Sequence, residues 1–517
     1  MAAAAFANDA AALPSLSGVS NMTNKQTWHR LAEEVQPQTD ALIDGEFAPA
    51  MRGERFDSIN PATGRSLASI ASCMAEDVDR AAKAARTAFE DGRWRNRAPR
   101  ERKRILLRLA DLIESHRDEL ALLETLEVGK PISDALSVDL PSTVNTFRWY
   151  AEAIDKVYGE VAPTPANSLA FITREPIGVV GVVVPWNFPL YMASWKVAPA
   201  LATGNSVILK PAEQSSLSAL LLGRLALEAG LPPGVLNVVP GYGEHAGQAM
   251  GRHPDIDAIA FTGSTEIGKR FLVYAGESNM KRVSLETGGK SPHIICADAP
   301  DLERAAHAAA WGVFFNQGQV CSAGSRLLVQ REIQAEFVER VVRIAEDMRI
   351  GDPLDPQTQL GAVVDGTQLG RVTGFVERAG AEGARLRTGG RPVLVESGGF
   401  FFEPTVFCDV TNDIELARSE VFGPVLAVLA FDGIDEALRI ANDTPFGLGA
   451  GIWTRNIDTA LRASKELRAG QVWINNYDAG DVTVPWGGFK QSGNGRDKSL
   501  HALEKYTEVK ATWIEMA

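Results

Sequence analysis

Hydrophobic residues follow two different periods along this chain. From about residue 75 to residue 155 they recur every three or four positions, as in VDRAAKAARTAF and RILLRLADLI, which predicts amphipathic helices. Beyond residue 176, short and nearly continuous aliphatic runs follow at 177–184, 206–209, 235–239, 258–261 and 292–296. The first four runs are separated by segments of helix length, and such runs are typical of buried parallel strands. This pattern predicts a doubly wound, Rossmann-like α/β domain.

A second alternation extends from Arg326 to Asn475. Strand-like runs (SRLLVQ, PVLAVLAF, GAGIWT and GQVWIN) alternate there with helical runs (IQAEFVERVVRIAEDM, IDEALRIAND and TALRASKEL). The same alternation of strand and helix predicts a second α/β domain.

Two further segments have the pattern of exposed edge strands. Residues 159–175 alternate and contain prolines, which predicts a hairpin, and residues 506–516 alternate as a single strand does. Neither has an obvious partner in its own domain, so we expect a small β element that pairs between subunits. The expected division is a flexible N-terminal extension (1–39), a first α/β domain (40–156 and 178–286), a second α/β domain (287–486) and an oligomerisation element (157–177 and 487–517).

Composition and charge exclude several classes of protein. With 517 residues the chain is too long for one hydrophobic core, and 45% hydrophobic and 23% charged residues exclude collagen-like and wholly disordered chains. The 52 Lys and Arg residues are outnumbered by 65 Asp and Glu residues, for a net charge of −13, without a long basic run. A nucleic-acid partner is therefore not expected.

The cysteines and the N-terminus indicate a compartment. Four cysteines without a CxxC pair provide neither a disulfide framework nor a zinc motif, so no metal is expected and a reducing environment fits best. The Ala-rich N-terminus has no basic residue before Lys25, unlike a signal or transit peptide, and a second Met stands at position 22. No run reaches the 18 or more apolar residues needed to span a membrane. We expect a cytoplasmic protein without a membrane partner.

The stretch from Gly263 to Lys269 resembles a phosphate-binding loop. A nucleotide triphosphatase needs Ser or Thr after the lysine as a Mg²⁺ ligand, and Arg270 stands there instead, which disfavours a kinase or ATPase. A strand that leads through Gly263 and Ser264 into a helix still places free N–H groups where they attract a pyrophosphate. The residues favour a dinucleotide, and an ordinary capped helix is the alternative.

Lys210 and Glu213 follow the strand at 206–209, where open α/β sheets bind ligands. A carboxylate here accepts both hydroxyls of an adenosine ribose and repels a 2′-phosphate, which favours NAD⁺ over NADP⁺. The Lys210 ammonium opposes this preference, since it attracts the extra phosphate. A solvated strand exit is the alternative interpretation.

Cys321 is the candidate nucleophile. The glycines and polar amides around it (NQGQVCSAG) suit an open turn, whereas Cys73, Cys296 and Cys408 stand in ordinary core contexts. A thiolate adds to an aldehyde, and the oxyanion that forms needs a neutral donor such as the amide of Asn187. Glu286, ahead of two glycines, is a candidate general base, although a Glu in this position is more often a turn residue.

Seven motifs in this order resemble the NAD(P)⁺-dependent aldehyde dehydrogenases. They are Pro185-Trp-Asn-Phe-Pro, Lys210-Pro-Ala-Glu, Phe261-Thr-Gly-Ser-Thr, Glu286-Thr-Gly-Gly-Lys, the Cys321 loop, Glu420-Val-Phe-Gly-Pro and Pro485-Trp-Gly-Gly-Phe-Lys-Gln-Ser-Gly. The resemblance implies NAD as cofactor, with NADP as an alternative, an NAD-binding domain first and a catalytic domain second, and a homotetramer or homodimer built through the β element. It implies catalytic roles for Cys321, Glu286, Asn187 and Lys196, and cofactor contacts from Pro185, Trp186, Lys210, Glu213, Gly263, Ser264, Gly288, Glu420 and Phe422.

Three stretches are similar to the aminoaldehyde dehydrogenase subgroup that oxidises γ-glutamyl-γ-aminobutyraldehyde in putrescine breakdown. They are residues 148–160, 475–481 and 490–504. An amine-bearing substrate would be attracted by Asp478 and Asp481, which are otherwise solvated loop acids. Phe188, Trp195 and Trp486 would form an apolar tunnel for the aldehyde, although Trp195 is also a candidate core residue.

Two positions depart from the family's pattern. Thr287 follows Glu286 where many members have Leu, and Asp497 stands where Glu is common. The shorter Asp497 side chain weakens the expectation that it forms a proton relay with Lys196.

The expected reaction is oxidation of an aldehyde through a Cys321 thiohemiacetal and thioester, followed by hydrolysis. A broad-specificity or other semialdehyde dehydrogenase is one alternative, and a CoA-acylating enzyme, which does not need Glu286 as base, is another. A non-catalytic structural homologue is disfavoured because such a role places no demand on Cys321, Glu286 and Asn187 together.

Overall fold

The structure is a computed structural model that describes residues 24–516. Its strands are β1 (Ala41–Ile43), β2 (Glu46–Ala48), β3 (Arg55–Asn60), β4 (Arg65–Ala71), β5 (Glu160–Ala162), β6 (Ser168–Pro176), β7 (Val179–Val183), β8 (Ser206–Lys210), β9 (Leu236–Val238), β10 (Ala258–Thr262), β11 (Arg282–Glu286), β12 (Pro292–Ile295), β13 (Arg326–Gln330), β14 (Arg385–Thr388), β15 (Pro392–Val393), β16 (Phe401–Phe402), β17 (Thr405–Cys408), β18 (Val425–Phe431), β19 (Gly449–Trp453), β20 (Gln471–Ile474) and β21 (Thr507–Glu515).

The α-helices alternate with these strands in both halves of the chain. They are α1 (Lys25–Glu34), α2 (Ala75–Glu90), α3 (Pro99–Ser115), α4 (Arg117–Val128), α5 (Ile132–Asp134), α6 (Leu140–Ala153), α7 (Pro189–Ala202), α8 (Leu217–Ala229), α9 (Gln248–Arg252), α10 (Thr265–Gly276), α11 (Leu302–Phe314), α12 (Arg331–Asp347), α13 (Gly366–Ala381), α14 (Glu415–Arg418), α15 (Ile434–Asn442) and α16 (Ile457–Glu466).

The first sheet has seven strands in the order β11-β10-β7-β8-β9-β1-β2. Strands β7 to β11 are parallel, and β1 and β2 add an antiparallel edge. The chain passes from β7 to β8 and β9 on one side and then crosses to β10 on the other. The β7–β10 junction is therefore the topological switch point, where open α/β sheets bind ligands beyond the carboxyl ends of their strands.

The second sheet also has seven strands, in the order β14-β17-β18-β13-β12-β19-β20, and all but β14 run parallel. The aliphatic run at 292–296 supplies β12 of this sheet. Separate hydrophobic clusters cover its two faces. The expected fold class, two α/β units with a Rossmann-like first unit, is confirmed.

A third, three-stranded antiparallel sheet has the order β21-β6-β5. From the sequence, the hairpin and the C-terminal strand had no partner in their own domain; the structure pairs them with each other, from Thr507 against Pro176 to Glu515 against Ser168. A local pattern does not show this pairing, because the two strands are far apart in the sequence.

Helix α1 corrects part of the expected flexible extension. Asn24 caps this helix through a hydrogen bond to the N–H of Thr27, and Trp28 is buried against the main hydrophobic cluster. Residues 25–34 are thus a packed helix, held by Trp28 and by the partly buried Leu31 and Ala32. Residues 1–23 lie outside the described part of the chain. Within residues 24–516, no helix is both long and apolar enough to cross a membrane.

Candidate active site

A cleft with about 1040 Å³ of empty space, part of it open to solvent, lies between the two large sheets. Turns that follow β7 and β10 line one side, at the switch point of the first sheet. The segments that lead into β12, β13 and β18 line the other side, and these are adjacent parallel strands. The carboxyl edge of the first sheet therefore meets the amino edge of the second.

Most of the residues predicted for the site line this cleft, and five do not. Those that line it are Pro185, Trp186, Asn187, Phe188, Trp195, Gly263, Ser264, Gly288, Cys321, Glu420, Phe422, Asp478 and Trp486. Those outside its lining are Lys196, Lys210, Glu213, Glu286 and Asp481.

The Cys321 thiol is half-buried in the loop between α11 and β13. Two hydrogen bonds hold this loop in place. The Tyr477 hydroxyl donates to the Ser322 carbonyl at 2.8 Å, and the Ser322 hydroxyl donates to the Asp478 carboxylate at 3.0 Å. Burial raises the pKa of the Cys321 thiol well above its usual value, and the carboxylates of Glu420, Asp478 and Glu286 add to the effect. The thiol is therefore neutral near pH 7 and needs a base to become a nucleophile.

Asn187 lies in the turn between β7 and α7 and is buried. Its amide donates to the Gln319 carbonyl at 2.9 Å, and the Asn316 amide donates to the Asn187 carbonyl at 2.9 Å. These two bonds tie the Asn187 turn to the loop that carries the thiol. A side-chain amide has a second N–H, which is the donor type that an oxyanion needs.

Glu286 ends β11 and is buried, and neither of its carboxylate oxygens has a hydrogen-bond partner among the described residues. The carboxylate lies over two glycines: a Cβ at Gly487 would be 2.7 Å from Oε1, and one at Gly495 would be 3.1 Å from it. Burial raises the pKa of Glu286 well above its usual value, and Asp497 raises it further. A carboxyl of raised pKa beside a cleft has the character of a general base or acid.

Behind Glu286, Asp497 is buried between two lysines. Lys196 Nζ donates to one oxygen of this carboxylate at 2.6 Å, and Lys505 Nζ donates to the other. Burial alone would raise the pKa of Asp497, but the two ammonium groups hold it below its usual range. The shorter side chain at position 497 thus still reaches Lys196.

On the cofactor side, Ser264 is the N-cap of α10, and its hydroxyl accepts from the Ile267 N–H at 3.3 Å. Lys210 is buried at the end of β8; its ammonium donates to the Pro211 carbonyl at 2.9 Å and lies 3.8 Å from Glu213. Burial lowers the pKa of Lys210. The Glu213 side chain is about one-third exposed. An anionic and a cationic group therefore lie next to each other at the end of β8, one partly exposed and one buried.

Glu420 lies against the glycine pair of the Glu286 motif. Its carboxylate accepts from the Gly289 N–H at 3.1 Å, and a Cβ on Gly288 would be only 2.1 Å from its Oε2, so a side chain at 288 would displace it. Burial raises the pKa of Glu420 to about 7. Phe422 takes a left-handed backbone (φ 57°) and packs edge-on against Trp186 at 5.3 Å.

The remaining wall of the cleft is aromatic. Trp195 packs against Trp486 with ring centres 5.7 Å apart, and both rings line the cleft. Asp478 lines it as well, whereas Asp481 lies on an exposed loop and accepts from the Thr483 N–H and hydroxyl. Asp481 is thus placed outside the cleft, because its carboxylate caps its own turn.

Several lining residues carry no sequence motif. Gln368 and Arg371 belong to α13, and Val138 to a helical segment, so periodicity alone gives them ordinary surface or core roles. Gln368 donates to the Phe422 carbonyl at 2.6 Å and Arg371 to the Glu420 carbonyl, so α13 holds the Glu420–Phe422 turn. No group of His, Cys, Asp and Glu among residues 24–516 is arranged to hold a metal ion.

Comparison with known proteins agrees with this geometry. The profile described as "Aldehyde dehydrogenase family" matches residues 47–512. This chain belongs to the aldehyde dehydrogenase family. It is an oxidoreductase, and the expectation of an NAD(P)-dependent aldehyde dehydrogenase is confirmed.

Three relatives of this aldehyde dehydrogenase illustrate the similarity. The NADP/NAD-dependent aldehyde dehydrogenase PuuC of Escherichia coli (strain K12) is 53% identical over 489 residues, which are 95% of this chain and 98% of PuuC. The structure of a γ-glutamyl-γ-aminobutyraldehyde dehydrogenase from Burkholderia cenocepacia J2315 matches with a TM-score of 0.94 and 54% identity, over 96% of this chain and 100% of the other. An indole-3-acetaldehyde dehydrogenase of P. syringae, in complex with NAD⁺ and IAA, matches with a TM-score of 0.95 and 54% identity, over 95% and 100% of the two chains.

Proposed function

We propose that this aldehyde dehydrogenase oxidises an aminoaldehyde, of the γ-glutamyl-γ-aminobutyraldehyde type, to the carboxylate. The observation that carries the proposal is that one cleft brings together the Cys321 thiol, the Asn187 turn and the acidic side chain of Asp478. The name of the Burkholderia relative, a γ-glutamyl-γ-aminobutyraldehyde dehydrogenase, supports an aminoaldehyde as the substrate.

The cleft suits a dinucleotide. The buried Thr262 hydroxyl has no hydrogen-bond partner among the described residues, and it stands beside the free N-terminal turn of α10. When bound in this cleft, NAD⁺ would supply the hydride acceptor that the oxidation of an aldehyde requires. We place the adenosine and pyrophosphate on Lys210, Glu213, Gly263 and Ser264, and the nicotinamide side on Pro185, Trp186, Gly288, Glu420 and Phe422.

In the first step Glu286 removes the proton of the Cys321 thiol. The thiolate adds to the aldehyde carbon and the carbonyl oxygen becomes an oxyanion, which accepts an N–H of Asn187. Since Glu286 lies over Gly487 and Gly495 outside the cleft lining, its side chain has to turn toward the thiol. Two glycines as neighbours leave room for that rotation.

Loss of the hydride leaves a thioester on Cys321. Glu286 then takes a proton from water, which attacks the thioester carbon, and the thiolate leaves as the carboxylate product forms. Asp497 is a poor proton acceptor, because two ammonium groups stabilise its charge. We therefore propose that Lys196 and Asp497 adjust the pKa of Glu286 through their charges and do not accept or donate its proton.

The aromatic wall of Phe188, Trp195 and Trp486 holds the aldehyde chain, and Asp478 attracts its amine. Asp481 contributes only at long range, since it lies on the exposed loop.

We further propose a homodimer or homotetramer assembled through the third sheet, in which Val509, Trp513 and Ile514 of β21 are exposed. Large exposed apolar side chains on an edge strand are typical of an interface. All four cysteines are free thiols, which supports a cytoplasmic location. The boundaries drawn from the sequence for the two α/β domains and the oligomerisation element remain part of this proposal.

Cys321→Ala tests the proposed chemistry. We expect it to abolish NADH formation from aldehydes and to keep NAD⁺ binding, because the thiol forms the covalent adduct and does not hold the dinucleotide. Cys408→Ser, at a buried position in β17, is the matched control and should stay active. Residual turnover above a few per cent in the Cys321 variant would contradict the nucleophile assignment.

A further inference from the structure

Lys498 is a buried cation directly behind the aromatic wall of the cleft. Only 2% of its surface is exposed. Its ammonium nitrogen lies 4.8 Å from the centre of the Trp195 ring, 5.5 Å from that of Trp486 and 6.0 Å from that of Tyr191. All three rings line the cleft, and a cation at these distances is attracted by the negative face of an aromatic ring.

The backbone holds Lys498 inward under strain. Lys498 and Ser499 both have positive φ, 58° and 49°, which non-glycine residues adopt only where their surroundings impose it. The segment is fixed to the loop that carries Trp486: Asp497 and Trp486 exchange two backbone hydrogen bonds of 2.7 Å, and the Ser499 N–H donates to the Val482 carbonyl at 2.7 Å. Strain of this kind at a site wall points to a functional side chain.

Three carboxylates face this ammonium: Asp478 in the cleft wall, Asp481 on the exposed loop and Asp497 next to it in the chain. Burial lowers the pKa of Lys498 to about 8, and the carboxylates oppose that shift. The phenol of Tyr191 also faces it, and because burial raises the pKa of Tyr191, this group stays neutral.

We propose that Lys498 determines the charge selectivity of the aldehyde cavity: its ammonium, behind Trp195 and Trp486, offsets the charge of Asp478 and so limits the preference for cationic aldehydes. The inference rests on the proposed function, since it requires the aldehyde to bind in this cleft. Through the thin aromatic wall, the ammonium repels a cationic substrate while Asp478 attracts it. A neutral aldehyde of the same shape feels neither force.

The test compares two substrates of one shape and different charge. They are γ-trimethylaminobutyraldehyde, which is cationic at every pH, and its neutral isostere with a tert-butyl group in place of the trimethylammonium. The readout is the ratio of kcat/KM for the cationic substrate to that for the neutral one, which cancels effects on folding and on the common chemical steps.

Lys498→Met should raise this ratio about three- to tenfold at pH 7, the effect expected of one partly screened charge. Lys465→Met, at an exposed position of α16, is the matched control and should leave the ratio unchanged. Adding Asp478→Asn to Lys498→Met removes both charges of the pair and should bring the ratio back toward that of the wild type.

The wild type itself provides a test that does not depend on a variant folding. Its ratio should rise between pH 7 and pH 9, as Lys498 loses its proton. Lys498→Met should show a smaller rise, which reports the other titrating groups such as Glu286. Lys498→Arg, which stays charged, should keep a low ratio over this range.

Two outcomes separate the inference from the function on which it rests. If oxidation of both aldehydes requires Cys321 but the ratio is the same in the wild type, Lys498→Met and Lys498→Arg at every pH, the inference on Lys498 is overturned alone. If Cys321→Ala oxidises both aldehydes as the wild type does, the proposed function is contradicted, and the inference on Lys498 loses its basis.

Discussion

Replacing Asp497 by Asn keeps the shape of the side chain but removes the negative charge that lies between Lys196 and Lys505. The Lys196–Asp497 pair is 1% and 0% exposed, so water does not compensate for the loss. Removing one partner of a buried ion pair costs about 3–5 kcal/mol. We expect Asp497→Asn to be destabilised by that amount at pH 7.

The pH dependence of this loss has a definite sign. In the wild type, burial lowers the pKa of Lys505 and the Asp497 charge opposes that shift, so in the variant the pKa of Lys505 falls further below its unfolded value of about 10.4. A lowered lysine pKa means that the folded state regains stability as pH rises toward the unfolded pKa. The difference between wild type and variant should therefore shrink between pH 7 and pH 10. In the wild type, the depressed pKa of Asp497 means that its contribution is lost only in acid, as pH falls through that pKa.

The pH dependence of kcat should also change when the Asp497 charge is removed. Asp497 raises the pKa of Glu286, whereas Lys196 and Lys505 lower it. Without the Asp497 charge, the limb of the kcat profile that reports ionisation of the base should move to lower pH.

Urea unfolding followed by circular dichroism, and kcat from pH 5 to pH 10, measure the two effects. Glu34→Gln, which breaks an exposed pair with Arg30 in α1, is the control and should change stability by less than about 0.5 kcal/mol. A loss below about 1 kcal/mol for Asp497→Asn, together with an unmoved limb, would refute the assignment of Asp497 as a buried counter-ion.

Three further changes test other parts of the cleft. Glu286→Gln should slow the first turnover, because the Cys321 thiol loses its base, and NADH formation should then stop at an amount stoichiometric with the sites, because the water that attacks the thioester is not activated; without a trapped thioester, the deacylation role is wrong. Glu213→Gln should reduce the difference in kcat/KM between NAD⁺ and NADP⁺, because it removes the repulsion of the 2′-phosphate. An unchanged ratio would contradict the proposed contact between Glu213 and the adenosine ribose. Gly288→Ala places a methyl group 2.1 Å from Glu420 and should raise the KM for NAD⁺ at least several-fold, whereas Gly370→Ala, which meets open space, should not.

The sequence predicted both α/β units, because strand and helix periodicity are local signals. Cys321 and Asn187 could also be found from local signals, since each stands in a turn whose residue types suit ligand contact, whereas Glu420 and most of the cleft lining were predicted only from the resemblance to the family. Gln368 and Arg371 could not, because a helix pattern does not show which exposed positions face a distant turn.

The positions of individual side chains in the cleft could not be predicted from the sequence for a different reason. Asp478 and Asp481 are two acids in one loop, and only the structure shows that Asp478 bonds to Ser322 in the wall while Asp481 caps its own turn. Lys498 lies in the stretch 490–504 that resembles the aminoaldehyde dehydrogenase subgroup. The inward orientation of its side chain depends on positive φ values, which no pattern of residue types indicates.

The ion pair behind Glu286 also has a consequence for how the enzyme is made. Lys196 and Asp497 stand 301 positions apart, so at typical rates of synthesis roughly 15 to 60 seconds pass between the emergence of the two residues from the ribosome. During that interval α7 contains a lysine whose buried environment is incomplete, and Glu286 lacks the segment that covers it. The nascent chain therefore contains Cys321 and Lys196 well before Asp497 and Lys505, and catalytic competence should appear only after the C-terminal segment has docked.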